Sequence, residues 1–148
     1  MSHTFLVDVG RWLLQGQWRG GDRPPIDVTG KILVTYSQDD WFVMAAKLSY
    51  ADTEQPDIVL QYRGKLALND QTYTFILQHS ALGRLEGEGW IGEQSIVQRF
   101  WLLGDTKRRG GFENLWRLND NEYFISSGLT TGHKLTDLME ATLKRVST

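Results

Sequence analysis

The chain contains no cysteine, which excludes disulfide cross-links, thiolate chemistry and cysteine-bound metals. Proline and histidine are scarce too, three of each among 148 residues. No two histidines have metal-ligand spacing, and His3 and His133 fall in a terminus and a turn, so no metal site is expected. No glycine-rich loop follows a strand and opens a helix, which excludes that kind of phosphate cradle. No motif names a cofactor. Charge of neither sign dominates: 16 basic and 18 acidic side chains leave a formal net charge of -2. Such balance offers no attraction to nucleic acid or to an anionic membrane. No apolar run approaches the roughly 18 residues of a membrane span. The first residues, MSHTFLVDVGRW, lack a basic stretch leading into an apolar run, so no signal peptide is expected. Together these absences predict a soluble, cytoplasmic protein, and the lack of cysteine fits a reducing compartment.

Glycine and tryptophan are plentiful, at 15 and 6 residues. Glycine permits bends and bulges, and aromatic rings fill the faces between strands, so the pair suits a strongly curved β-structure. The length predicts one domain, residues 1–148. Strand-length segments are expected at 11–18, 26–37, 41–50, 58–68, 72–79, 84–91, 96–103, 111–118, 122–130 and 138–146. Turn chemistry separates them, as in GGDRPP, ADTEQPD, SALG and GDTKRRGG. Helical spacing arises only from Thr136 to Lys144, a segment kept as strand.

Alternation assigns the faces. Ile26, Val28, Ile32, Val34 and Tyr36 share one side of their segment, and Asp27, Thr29, Lys31, Thr35 and Ser37 share the other. A period of two with one apolar side means a sheet wetted on one face. Ten short strands joined by hairpin-length connections make a meander, and closing it removes its edges. The expected fold is therefore all-β, an antiparallel up-and-down barrel of about ten strands.

The stretch GRWLLQGQWRGG holds Gly-x-Trp twice, at Gly10–Trp12 and Gly16–Trp18. Trp12, Leu14, Gly16 and Trp18 share parity, with Gly16 placed to let the strand bend between two bulky rings. Here the sequence resembles the calycin superfamily of lipocalin-like and fatty-acid-binding-like barrels, and small bacterial lipocalin-like domains above all. The resemblance implies that the first-strand tryptophans, Trp12 and Trp18, plug a barrel end and that a late basic residue, Arg145 in ATLKRVST, packs over the ring. The Arg-x-Tyr pair that clamps a carboxylate in many fatty-acid-binding proteins is absent, since Val146 and Ser147 follow Arg145.

Candidate site residues follow from parity and hairpin matching. Setting Leu68 opposite Tyr73 places Tyr62 opposite His79, an inward imidazole beside a phenol. Such a histidine orients a ligand, holds haem iron, moves a proton, or simply bonds to backbone at the barrel mouth. Setting Leu102 opposite Phe112 brings Phe100 to Asn114 and Gln98 to Trp116, and Leu118 opposite Tyr123 brings Asn114 to Ser127. The inward amides Gln98 and Asn114 then need partners from a ligand, from waters or from each other. Tyr36, Phe100 and Trp116 complete the expected lining. Glu86 and Glu88 share a face, but that face is solvent-directed, and Lys107–Arg109 is a solubilising hairpin tip.

The leading expectation is a barrel that binds a small, mostly apolar molecule, oriented by Tyr62, His79, Gln98 or Asn114. The alternatives are an isomerase or lyase acting on a lipid or pigment in the same barrel, and a filled-barrel interaction module presenting Trp90 and Trp101 outward.

Overall fold

Alternation of apolar and polar side chains becomes alternation of inside and outside in the computed structural model, which describes residues 3–51 and 53–146. Its strands are β1 (Gly10–Gly20), β2 (Ile26–Tyr36), β3 (Trp41–Tyr50), β4 (Ile58–Lys65), β5 (Thr72–His79), β6 (Gly83–Ile91), β7 (Ser95–Trp101), β8 (Arg109–Asn119), β9 (Glu122–Thr131) and β10 (Lys134–Arg145). Each pairs antiparallel with its sequence neighbours, and β1 pairs with β10 to close the barrel. The fold class is the expected one, a closed ten-stranded antiparallel up-and-down barrel. All ten expected segments are strands; the residues with helical spacing lie in β10, where pairing with both β1 and β9 overrides propensity.

The interior is built by rings laid over glycines. Phe42 pairs directly with Gly64, Tyr73 with Gly89, Phe75 with Gly87, and Phe100 with Gly111. A Cβ at Gly64 would come within 2.9 Å of the Phe42 ring, and one at Gly111 within 2.7 Å of the Phe100 ring. Gly87 beneath Phe75 and Gly89 beneath Tyr73 have less room still. The absent side chain lets each ring lie flat against the neighbouring strand, so the narrow barrel holds large rings in ordinary packing. Gly16 serves a different purpose. It faces Ala141 across β1 and β10, and a Cβ there would collide with the β10 backbone at Glu140 and Ala141. The closing seam is drawn tight at that point.

One end of the barrel is stoppered. Trp12 is 1% exposed and packs edge-on against Phe5, at 5.3 Å between ring centroids, and against Tyr123 at 5.6 Å. The segment before β1 folds over this end. Phe5 and Leu6 are buried, and His3 Nδ1 lies 2.7 Å from the Tyr123 hydroxyl. Leu6 takes a left-handed backbone, φ 71°, and its carbonyl accepts a 2.7 Å hydrogen bond from the Tyr36 hydroxyl. Arg145, the cross-strand neighbour of Trp12, holds its guanidinium carbon 5.8 Å from the centroid of that ring.

Two expectations change. Trp18 lies at the other end of β1, half-buried against Tyr50 at 5.7 Å, and belongs to the open mouth rather than the stopper. The two rings share parity, yet six residues of extended strand separate them by about 20 Å, the length of a small barrel. Tyr36 belongs to the stopper and is spent on Leu6. Leu68, expected inward, is 89% exposed because β4 ends at Lys65.

Truncating a fully buried large aromatic costs about 3–5 kcal/mol, so Trp12→Ala is expected to lose that much stability. Trp18→Ala, at the half-open mouth, is expected to lose less than half as much. Denaturant unfolding of both variants against the parent measures the difference, and equal losses would contradict the assignment of the two rings to opposite ends.

Candidate functional site

The end opposite the stopper opens into a cavity of about 180 Å³. Strands β1, β3, β4, β5, β7, β8, β9 and β10 all contribute to its wall. Apolar side chains dominate it, among them Trp18, Leu48, Ile58, Leu60, Phe100, Phe112, Leu129 and Met139. Tyr50, Gln55, Tyr62, His79, Glu113, Ser127 and Asp137 supply polar atoms.

Glu113 organises the polar groups. It stands on β8 opposite Gln98 on β7 and Ser127 on β9. Its Oε1 accepts a 2.6 Å hydrogen bond from the Tyr62 hydroxyl and a 3.1 Å bond from Gln98 Nε2. The Gln98 carbonyl in turn accepts from the Tyr73 hydroxyl at 2.6 Å. One phenol and one amide thus converge on one carboxyl oxygen, and the second phenol holds the amide. The second oxygen, Oε2, accepts no hydrogen bond from the described residues and is not sealed from the hollow. Glu113 also borders a smaller void of about 30 Å³ deeper in the barrel, room for about one water.

Burial raises the pKa of Glu113 above its ordinary 4.5, and the bonds from Tyr62 and Gln98 oppose that rise without cancelling it. Tyr62 and Tyr73 are held well above the usual phenol range, first by burial and then by the Glu113 charge. Both therefore stay neutral donors. Asp137, half-buried at the rim, is also raised by burial, against hydrogen bonds from the Leu129 amide and Trp18. It pushes the nearby Tyr50 up to about 12, second to burial itself.

His79 lines the mouth, and burial lowers its pKa below 6.5, so it is neutral at neutral pH. Its Nδ1 accepts from the amides of Ala81 and Leu82, both at 3.1 Å. The imidazole therefore carries its proton on Nε2 and caps its own turn. It pairs with Leu60 rather than Tyr62, because the β4–β5 connection is longer than the tight turn expected; the slip is two residues, so every side chain keeps its face.

Strand β8 is where sequence reasoning fails. Asn114 is exposed and Trp116 is 52% exposed, so neither lines the cavity. The inward set is Glu113, Leu115 and Arg117. The β7–β8 register differs by three residues from the expected one, setting Gln98 opposite Glu113 and Phe100 opposite Gly111. An irregularity between Arg117 and Asn119 adds a residue at the β8–β9 turn and puts Arg117, not Leu118, opposite Tyr123. An odd slip turns a whole strand over. Choosing the apolar side as inward was the error: Arg117, 6% exposed and paired with Asp120, is buried while Leu118 is 51% exposed. One signal pointed the right way. Phe100 needs a glycine across from it, and Gly111 inward makes Glu113 inward as well.

The remaining expectations concern the outer surface. Trp90 and Trp101 do face outward. Glu88 pairs with Arg99 at 3.4 Å on the solvent side, and Arg109 at the hairpin tip pairs with Asp105 at 2.9 Å. No group of acidic or histidine side chains among the described residues has the arrangement of a metal site. No helix among them is long and apolar enough to cross a membrane.

No family model matches the chain, and no curated protein does. Solved structures do. Rv2717c from M. tuberculosis aligns with a TM-score of 0.71 over 94% of this chain and 92% of its own, at 13% identity. The S-type phycobiliprotein lyase CPES from Guillardia theta aligns with a TM-score of 0.62 over 95% of this chain and 89% of its own, at 15% identity. At such identity the likeness is one of fold, and it covers the whole barrel.

The raised pKa of Glu113 has a definite sign. A carboxyl that binds its proton more tightly in the folded state stabilises the fold below its unfolded pKa, near 4.5, and that contribution is lost as pH rises through the higher folded value. Glu113→Gln keeps an acceptor for Tyr62 and Gln98 but never ionises. Its stability relative to the parent is expected to rise between about pH 4 and about pH 8, while Asp137, common to both proteins, cancels from the difference. Denaturation midpoints at the two pH values test this, and a difference that stays flat or falls would contradict it.

Proposed function

We propose that the protein binds a small, mostly apolar molecule in the open end of its barrel. The observation that carries this reading is the 180 Å³ cavity walled by apolar side chains, with a single polar cluster at its inner end. Sites for small molecules have this composition: apolar area supplies affinity, and a few fixed polar atoms supply orientation. Burial contributes about 25 cal/mol per Å² of apolar surface before ordering costs are subtracted. Tyr62, Phe100, Gln98 and Glu113 would contact or position the buried part of the ligand, and His79 would meet it at the mouth through Nε2–H. The volume is near that of a cavity of about 150 Å³ that holds a benzene ring. A larger ligand would extend out past Trp18 and Leu129.

Catalysis in the same hollow is the second reading, supported by Glu113. A carboxyl at the inner end of a cavity, its proton held more tightly by burial, can move a proton. A phycobiliprotein lyase has the same fold, which makes a lyase role compatible with the architecture. On that reading Glu113→Gln retains ligand and loses turnover.

Native mass spectrometry of the purified protein tests the binding reading. The parent is expected to carry a non-covalent mass increment, or to acquire one on incubation with small apolar compounds. Ile58→Trp, which fills the mouth, is expected to lose it while remaining folded. A parent that takes up nothing, or a variant that binds as well as the parent, would contradict binding in this cavity.

A further inference from the structure

The charge inventory of the cavity is one-sided. Among the described residues two carboxyl side chains line it, Glu113 at the inner end and Asp137 at the rim, and no lysine or arginine does. His79 offers no positive charge, since its Nδ1 is committed to the amides of Ala81 and Leu82 and burial disfavours its protonation. Within the polar cluster the recorded donors are aimed away from Oε2. Tyr62 and Gln98 both point at Oε1 of Glu113, and Tyr73 is engaged by the Gln98 carbonyl. Oε2 is left with no donor from the described residues.

Three kinds of guest can be compared on these atoms. An anionic guest would bring its charge beside two carboxyls with no cation to compensate, which low local polarity makes costly. A neutral apolar guest would strip water from Oε2 and return nothing, and an unpaired buried polar atom costs about 1–3 kcal/mol. A protonated amine supplies both missing elements, a donor for Oε2 and a counter-charge for the carboxylate. The wall suits it as well, because it includes the aromatic side chains Trp18, Tyr50, Phe100 and Phe112, a residue type that attracts cations.

We infer that the ligand is an apolar organic cation, a compact hydrophobic body bearing a protonated amine, and that its nitrogen docks on Oε2 of Glu113. This rests on the binding reading above and specifies its chemistry. Glu113 is the recognition residue; Tyr62 and Gln98 are positioning residues that fix Oε1 and so aim Oε2.

Three probes with one apolar body separate the possibilities: 2-phenylethylammonium, 2-phenylethanol and phenylacetate, titrated calorimetrically into the parent and into Glu113→Gln at neutral pH. The ammonium is expected to bind the parent at least about tenfold more tightly than the alcohol, with phenylacetate weakest. In Glu113→Gln the preference for the ammonium over the alcohol is expected to vanish. The ranking in the parent stands as a test by itself should the variant fold poorly. Equal affinity for all three probes, tighter binding of phenylacetate, or an ammonium preference that survives in Glu113→Gln would overturn the inference while leaving a binding protein. Binding of none of the three, together with no co-purified ligand, would overturn the binding reading beneath it.

Discussion

The structure depends on rings lying over glycines. A barrel of ten short strands is narrow, and the inward positions carry more aromatic volume than evenly spaced side chains could fill. The pairs Phe42–Gly64, Tyr73–Gly89, Phe75–Gly87 and Phe100–Gly111 resolve the crowding by giving each ring the space of a missing side chain on the next strand. Such pairing also sets register, because a one-residue slip would bring each ring against a Cβ or turn it outward. The consequence for the site is direct. Phe100 over Gly111 locks β7 to β8 and so places Gln98 opposite Glu113. The carboxyl is inside the barrel because Gly111, two residues before it on β8, is the glycine over which Phe100 packs.

The two ends of the barrel are differentiated by what closes them. At one end the segment before β1 brings Phe5 and Leu6 onto Trp12, and Arg145 lies against the same ring. Nothing comparable covers the other end among the described residues, where Trp18 and Tyr50 stand at the rim of the cavity. A closed, densely packed end stabilises the barrel as a whole, and the open end can then tolerate a buried carboxyl with an unpartnered oxygen. Buried polar clusters left incomplete are costly, and they persist where a guest or a water completes them.

The outer surface carries its own aromatic residues, Trp90, Trp101 and Trp116, on consecutive strands β6, β7 and β8. They are spread along the barrel wall rather than gathered at the mouth. The chemistry concentrated in the hollow, two phenols, an amide and a carboxyl in one hydrogen-bonded cluster, has no counterpart outside.

The division between sequence and tertiary structure follows from what each interaction depends on. Alternation is local, so strand positions, the inward faces of β1 to β7 and the closed up-and-down architecture were all legible residue by residue. Tyr62, His79, Gln98 and Phe100 were legible for the same reason. Trp12 and Trp18 share a face, but only the path of the whole strand decides that one seals the stopper and the other borders the cavity. Strand β8 shows the limit most clearly. Its two faces, Gly111–Glu113–Leu115–Arg117 and Phe112–Asn114–Trp116–Leu118, are told apart by pairing with β7 and by the irregularity before Asn119, not by their own apolarity. A buried arginine and a buried glutamate read as outward because burial of charge is costly in isolation. Their partners, Asp120 for Arg117 and Tyr62 with Gln98 for Glu113, are brought to them by the closed sheet, so only the tertiary structure decided that the carboxyl of β8 faces the interior of the barrel.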